Sequence, residues 1–129
     1  MKLNYDCVRS ILLEVEKRPR FDDDMKVILI PVDEIYSELE KYSPQEIVYC
    51  LEAMKDSGLL IVDIHSSGDA VTGGVITRIT HKGHEFLDSV RDLKFWGQLK
   101  KILTKVGAIT VDIIIETAKA LAISKIEIN

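Results

Sequence analysis

Apolar residues recur at helical spacing from the start of the chain. Between Asn4 and Arg18 they form one stripe, whose members are Tyr5, Val8, Ile11, Leu12 and Val15. This spacing is typical of an amphipathic helix with one face in a core. Asn4 is a residue type that caps helices, and Pro19 with the acidic run 22–24 is a stop signal. A first helix over residues 4–18 is predicted.

A short β-branched run follows this helix. Val27, Ile28, Leu29 and Ile30 stand directly before Pro31. The run is too short for a core helix and rich in residues that favour strands. It predicts one strand over residues 27–30.

Two further helices are predicted before residue 58. Residues 32–42 carry apolar residues at helical spacing, namely Val32, Ile35 or Tyr36, Leu39 and Tyr42. The segment Ser43-Pro44-Gln45-Glu46 then combines a capping serine, a proline at the first helical position and a glutamate three residues after the cap. These features form a capping box and place a helix start at Pro44. Gly58 is suited to end that helix in the left-handed conformation, and the pair resembles a helix-turn-helix.

A hairpin and another helix complete the first part. Residues 59–65 and 75–80 favour strands, and the glycine-rich segment 66–74 between them predicts a turn-rich loop. Thr80 is placed to cap a helix anchored by Phe86, Leu87 and Val90. The order to residue 92 is helix, strand, helix, helix, strand, wing, strand, helix. It predicts an α+β fold, a winged helix-turn-helix domain over residues 1–92 with 66–74 as its wing.

Residues 93–129 are predicted to form a C-terminal helical extension. Its first helix carries the apolar stripe Phe95, Trp96, Leu99, Ile102, Leu103 and Val106, and Gly107 interrupts the pattern. The helix that follows has a narrow polar strip, Asp112, Glu116 and Lys119, between two apolar stripes. One stripe is Val111, Ile114, Ile115, Ala118, Leu121 and Ala122; the other is Val106, Ile109, Ile113 and Ala120.

This excess of apolar surface favours self-association of the extension. A surface helix of a monomer normally keeps a broader polar face. We therefore expect a homodimer, with Val111, Ile114, Ile115, Ala118, Leu121 and Ala122 as interface residues. The three charges of the polar strip disfavour burial in lipid, so no membrane span is expected.

Composition and charge narrow the class of protein. The chain has 129 residues, 47% hydrophobic and 29% charged, with a net charge of −4, which is typical of a soluble folded domain. Residues 1–60 contain 8 Lys/Arg and 13 Asp/Glu, whereas residues 61–129 contain 9 and 8. Cys7 and Cys50 have no metal-site or disulfide-framework spacing, and the N-terminus lacks the apolar core of a secretory signal. A cytoplasmic location is expected.

No recognisable catalytic or cofactor-binding set stands in the sequence. A nucleophile, a base and an orienting group with suggestive spacing are missing, and the glycines of 68–74 lack the lysine of a phosphate-binding loop. His81-x-x-His84 has metal-ligand spacing but falls at a helix start beside Thr80, where a structural role is favoured. We expect no enzyme, no cofactor and no metal.

The residues suited to nucleic acid are split between two regions. Gln45 and Tyr49 lie on the outer face of the predicted reading helix, together with Glu46, Glu52 and Asp56 against Lys55. These acids would repel phosphates. Basic residues for phosphate contacts come from elsewhere, namely Arg78, Lys82, Lys94, Lys100, Lys101 and Lys105.

Three segments resemble a known family. They are the opening Met1-Lys2-Leu3-Asn4-Tyr5-Asp6-Cys7-Val8-Arg9, the run Ile79-Thr80-His81-Lys82-Gly83-His84-Glu85-Phe86-Leu87-Asp88, and Trp96 with Lys105-Val106-Gly107. The chain resembles, nearly end to end, short uncharacterised bacterial and prophage-encoded proteins defined as a domain of unknown function. The Thr-x-x-Gly-x-x-Phe-Leu pattern within the second segment is also similar to winged-helix transcription regulators. The resemblance implies a winged-helix fold and a bacterial or prophage origin, and no established activity or site residue.

Two functions are compatible with these observations. The first is a DNA-binding or transcription-regulatory module, which the resemblance and predicted fold favour. The alternative is a protein-interaction or assembly module on the same scaffold without DNA readout, which the acidic helix and the apolar C-terminal helix favour.

Overall fold

The computed structural model describes residues 1–128, and this part of the chain contains six helices and one three-stranded antiparallel sheet. The protein is therefore α+β, as predicted. Its residues form two compact units, one over Met1–Gly83 and one that begins at His84. The predicted division after residue 92 stays a prediction.

Helix α1 spans Tyr5–Glu16 and confirms the first predicted helix. The side-chain oxygen of Asn4 accepts hydrogen bonds from the backbone N–H groups of Asp6 and Cys7 at 3.0 and 3.2 Å. The helix buries Cys7, Val8, Ile11, Leu12 and Val15. Glu14, placed off the apolar stripe by its spacing, is also buried, with Lys17 and Arg18 nitrogens 3.4 and 3.5 Å from its carboxylate. This pairing allows a carboxylate to lie at the edge of a core.

The strand predicted over residues 27–30 is wrong in its bounds. Strand β1 is Ile30–Pro31, and it pairs with residues 75 and 76 farther along the chain. Val27 instead forms an isolated antiparallel bridge with Phe21, and Leu29 is exposed. The β-branched composition of this run favours extended backbone and therefore predicts one strand. The first residues of the run belong instead to a separate turn, closed by the bridge between Phe21 and Val27.

Helices α2 and α3 follow β1. Helix α2, Val32–Glu38, is shorter than the predicted 32–42 and buries Val32 and Ile35. Helix α3 spans Pro44–Asp56, so the start predicted from the capping residues is confirmed. Gly58 has a φ of +76°, the left-handed conformation that glycine adopts without a Cβ penalty.

The predicted antiparallel hairpin is present, but its strands extend into the segment 66–74 that was expected to be a loop. Strand β2 is Leu60–Ser67 and strand β3 is Ala70–Ile79, with pairs running from Leu60↔Ile79 to Ser67↔Ala70. The turn therefore contains only Gly68 and Asp69. Gly74 favours a loop in the sequence but lies within β3. A Cβ at this position would collide with the backbone oxygen of Asp63 on the paired strand, which explains why a glycine stands inside the strand.

The sheet has the order β1-β3-β2. Helices of the first unit pack against one another and on the sheet. Their shared core consists of large aliphatic side chains, each of which contributes about 1.5–3 kcal/mol by leaving water. Its most buried members include Ile11, Leu12, Ile35, Ile47, Leu51, Met54, Leu59, Leu60 and Ile76.

Helix α4, His81–Val90, begins at the predicted cap. Thr80 Oγ1 accepts a hydrogen bond from the backbone N–H of Gly83 at 2.9 Å. Gly83 lies against the chain at Leu59, where a Cβ would overlap the Leu59 carbonyl oxygen and lie 2.6 Å from Ile79 Cγ2. The predicted anchors Phe86, Leu87 and Val90 are buried.

Two helices form the rest of the second unit. Helix α5 is Leu93–Leu103, capped by Asp92, and helix α6 is Val111–Ile128. They pack against each other, with the α5 side chains Trp96, Leu99 and Leu103 buried. The predicted α5 stripe is wrong at its C-terminal end, since Ile102 is exposed and Val106, also exposed, lies beyond the last residue of the helix. The segment around Gly107 separates the helices as predicted.

Candidate nucleic-acid interface

Helix α3 carries the residues predicted to read nucleic acid. Ser43 Oγ accepts a hydrogen bond from the backbone N–H of Glu46 at 3.1 Å, which fixes the first turn. Gln45 is exposed in that turn, and Tyr49 is 37% exposed one turn farther on. Both side chains therefore reach solvent from a helix whose opposite face, Ile47, Leu51 and Met54, is buried.

The Glu46 side chain contacts a residue of the first unit's interior side and contributes little to the exposed face of α3. Its carboxylate accepts a hydrogen bond from the side-chain amide of Asn4 at 2.8 Å, and the residue is half-buried. The same Asn4 offers its backbone oxygen to the Cys50 thiol at 3.7 Å. The exposed acids of α3 are thus Glu52 and Asp56, fewer than the spacing alone indicates.

The two cysteines meet between α1 and α3. Cys7 and Cys50 are both fully buried. A hydrogen bond with the Cys50 thiol, together with burial, raises the pKa of Cys7 far above its ordinary value. The Cys7 thiol therefore stays protonated at neutral pH and acts as part of the core, as its place on an apolar face predicted.

An open groove of about 420 Å³ lies beside Gln45. Its walls are contributed by α2, α3 and β3, and its lining residues are Tyr36, Pro44, Gln45, Val48 and Val71. Burial and the neighbouring Asp33 raise the pKa of the Tyr36 phenol, so its hydroxyl is a proton donor throughout the neutral range. The groove offers apolar walls with one amide and one hydroxyl, a combination suited to a planar or aliphatic group with a polar edge.

Sequence reasoning missed Tyr36, Val48 and Val71 as site residues. Tyr36 was an alternative to Ile35 on the buried face of its helix, and the structure buries Ile35 and leaves Tyr36 at the groove. The sequence predicts a loop at Val71. Hydrophobic periodicity describes one element at a time. It therefore does not predict that a residue near the hairpin turn contacts two helices that precede it in the chain.

The β2–β3 hairpin extends beyond the part of the sheet that β1 covers. Residues near its turn, from His65 to Thr72, are exposed. Arg78 is exposed nearer the base, where it pairs with Ile61, and Lys82 in α4 is half-buried. The first unit therefore presents Gln45, Tyr49 and Arg78 to solvent.

The predicted lysine surface lies in the second unit. Lys94, Lys100 and Lys101 on α5, and Lys105 just after it, are all exposed. The Lys100 Nζ lies 5.5 Å from the centroid of the buried Trp96 ring, a cation–π distance that orients the side chain along the helix. Four of the five lysines predicted for phosphate contacts thus lie on α5 or just after its C-terminal end, and Lys82 lies in α4.

The predicted dimer residues of α6 lie in different environments. Val111, Ile114, Ile115 and Ala118 are buried within the chain, Leu121 is half-buried, and Ala122 is exposed. Four of the six are therefore already covered in a single copy. The exposed apolar residues of this helix are farther along, at Ile123 and Ile126, which are 55% and 74% exposed.

The described part of the chain lacks two kinds of arrangement. Among residues 1–128, no group of three or more His, Cys, Asp or Glu side chains is arranged to hold a metal ion. Within the same residues, no helix has the length and apolar character needed to cross a bilayer.

The fold and these surfaces define an α+β protein with an exposed helix face beside a long hairpin. The family model "Hypothetical protein (DUF2513)" matches residues 2–109, and the chain belongs to that family. It is similar to an "Uncharacterized protein" of Haemophilus influenzae (strain ATCC 51907 / DSM 11121 / KW20 / Rd), with 27% identity over 123 residues, covering 95% of this chain and 92% of the relative. No solved structure matches the chain.

Proposed function

We propose that this protein is a winged-helix DNA-binding module of a transcription-regulatory kind, of phage or prophage origin. The observation that carries the proposal is the order of elements over residues 1–79. Helix, strand, two helices and a hairpin follow one another, and β3 lies between β1 and β2. In a winged helix this order presents the second helix of a helix-turn-helix beside a β-hairpin.

Helix α3 is the reading element in this proposal. Gln45 and Tyr49 are exposed on it, and a glutamine amide can bond adenine in a bidentate manner while a tyrosine hydroxyl bonds phosphate or a base edge. In this proposal the hairpin residues near Gly68 form the wing and contact the DNA backbone.

In this proposal the residues that contact DNA phosphates lie outside α3. Arg78, Lys82, Lys94, Lys100, Lys101 and Lys105 supply the positive charge. Because the first 60 residues have a net charge of −5, attraction to DNA comes from these few residues. Binding is therefore weak and falls steeply with salt.

A fluorescence-anisotropy titration with labelled duplex DNA at two salt concentrations tests this function. In the Lys100→Ala, Lys101→Ala variant we expect at least tenfold weaker binding and a salt slope lower by about two units. Lys2→Ala, Lys17→Ala removes the same charge from exposed positions elsewhere and serves as the matched control, with little loss. Gln45→Ala, Tyr49→Ala should weaken binding with an unchanged salt slope. Absence of binding by the wild type at low salt would refute the proposal.

The acidic surface of α2 and α3 favours a second candidate, a protein-interaction module on the same scaffold. Asp33, Glu38, Glu52 and Asp56 are all exposed there. The variant Glu52→Lys, Asp56→Lys separates the candidates. If α3 reads DNA, removal of this repulsion should strengthen DNA binding about tenfold or more. Unchanged DNA affinity would take α3 out of the DNA interface and favour protein recognition through the groove beside Gln45.

A further inference from the structure

Four exposed apolar side chains are concentrated in the connection between α1 and β1. Phe21, Met25, Val27 and Leu29 are 46%, 74%, 46% and 49% exposed. We call residues 20–29 the α1–β1 loop. Single exposed apolar residues are ordinary, but four within nine positions form a patch, and such patches mark interaction sites.

The α1–β1 loop has a defined structure. Asp22 and Lys26 are joined through their backbones at 2.9 Å, and Ile28 N–H donates to the Arg20 oxygen at 2.9 Å. The Asp22 carboxylate also accepts from the backbone N–H groups of Asp24 and Lys26, both at 2.9 Å. The loop is thus a small hairpin, in which the bridge between Phe21 and Val27 holds their side chains together.

Met25 adopts a backbone conformation that other residue types adopt more readily. Its φ is +64°, and among the non-glycine residues of the described chain it alone has a positive φ. Glycine or asparagine adopts this conformation with less strain. The Met25 side chain is also the most exposed of the four and packs little against its own chain. A flexible apolar side chain presented to water from this backbone conformation supports a role of Met25 in binding.

The charge around this patch selects the kind of partner. Asp22, Asp23 and Asp24 form the tip next to Met25, against Lys26. The fitting partner is an apolar surface bordered by lysines. Two identical loops would set three aspartates against three, so the patch does not fit itself.

Helix α5 has the fitting chemistry. Leu93 is 71% exposed, Lys94, Lys100 and Lys101 are exposed, and Gly97 leaves open space on the surface. We infer that the α1–β1 loop of one copy binds the lysine-bordered surface of α5 on a second copy, and that this contact, made twice, forms a dimer. The proposed function assigns the same α5 lysines to DNA phosphates, so this dimer contact and DNA would compete for them. The aspartates of the loop have no part in the proposed DNA interface, and Asp23→Lys, Asp24→Lys therefore tests the dimer separately.

Charge reversal on each side tests the pairing of these two surfaces. By sedimentation velocity at about 50 μM, chosen above a dimer Kd of about 10 μM, we expect dimers for the wild type. Asp23→Lys, Asp24→Lys and Lys100→Glu, Lys101→Glu should each be monomeric. An equimolar mixture of the two variants should form a heterodimer, since each basic loop then meets an acidic α5. A monomeric wild type, or a mixture that stays monomeric, would overturn the inference.

Met25 gives a second test that does not alter charge. Met25→Gly should raise the Tm by about 2–4 °C through relief of backbone strain and weaken dimerisation at least tenfold. Met25→Leu retains an apolar side chain at the same φ and should dimerise within about threefold of the wild type. Dimerisation that survives Met25→Gly and is lost in Ile123→Asp, Ile126→Asp would place the contact on α6 and contradict the inference.

Discussion

The side-chain amide nitrogen of Asn4 lies 2.8 Å from a carboxylate oxygen of Glu46 and donates a hydrogen bond to it. The other end of the same side chain caps α1. One asparagine thus orients the first helix and holds the first turn of α3, the helix proposed to read DNA. A displacement of α1 would therefore also displace Gln45 and Tyr49, through the hydrogen bond between Asn4 and Glu46.

We expect Asn4→Ala to destabilise the fold by about 2 kcal/mol, since the cap contributes about 1 kcal/mol and the hydrogen bond to a charged group a similar amount. Asn4→Asp keeps the cap and replaces the donor with a second carboxylate, so it isolates the contact with Glu46. Urea denaturation of both variants measures the two contributions. Equal stability of Asn4→Asp and the wild type would show that the contact with Glu46 contributes nothing.

Tyr42→Phe should stabilise the protein. The Tyr42 ring is 6% exposed, and its buried hydroxyl has no hydrogen-bond partner within the described residues. An unpaired buried hydroxyl costs about 1–3 kcal/mol, so its removal should raise the free energy of unfolding by about 1 kcal/mol. Thermal and urea denaturation check this expectation. Tyr36→Phe, at the solvent-accessible groove, is the control and should change stability little; a loss of stability in Tyr42→Phe would indicate a partner for that hydroxyl.

Gly83→Ala and Gly97→Ala form a matched pair of helix substitutions with opposite expected effects. A Cβ at Gly83 would overlap the Leu59 carbonyl oxygen, whereas a Cβ at Gly97 meets nothing within 4 Å. We expect Gly83→Ala to lower the free energy of unfolding by about 2–3 kcal/mol or more. Gly97→Ala should raise it by about 0.5–1 kcal/mol because alanine is the better helix former. Denaturant unfolding followed by circular dichroism gives both values, and a tolerated Gly83→Ala would contradict the close approach.

Alkaline pH should destabilise the fold through Cys7. The folded-state pKa of this thiol is raised by its hydrogen bond to Cys50 and by burial, whereas the same hydrogen bond lowers the pKa of Cys50, so the loss of stability at alkaline pH is assigned to Cys7. The unfolded state therefore loses the Cys7 proton first, and the stabilisation present below about pH 8.5 declines as the pH rises above that value. Cys7→Ala should be less stable at pH 7 but should show a flatter decline between pH 8 and 10. Parallel stability–pH curves for the two proteins would contradict this assignment.

Features encoded by neighbouring residues were predictable from the sequence. Ser43, Pro44 and Gly58 fixed both ends of α3 because capping depends on residues within one turn. Val27 and Leu29 misled the prediction, since an apolar run indicates burial but here supplies exposed residues of a small hairpin.

Features set by tertiary packing were not predictable in the same way. Helix α6 has apolar residues around most of its circumference, so its spacing could not decide that Val111, Ile114, Ile115 and Ala118 are covered within the chain. The groove beside Gln45 depends on Tyr36 and Val71, which the fold brings together from distant positions. Only the folded arrangement of α2, α3 and β3 makes them neighbours.

The two-residue strand β1 also has a consequence for the order of folding. Strands β2 and β3 are joined by a turn of two residues and can pair early, whereas Ile30 reaches Ile76 only after α2, α3 and β2 are in place. Closing this long loop costs entropy that two residue pairs repay only in part. We expect β1 to pair last on folding and to detach first in native-state fluctuations. Hydrogen exchange should then be faster for the amide of Ile30 in β1 than for the amides that join β2 to β3, and release of this short strand would free the small hairpin before it from the sheet.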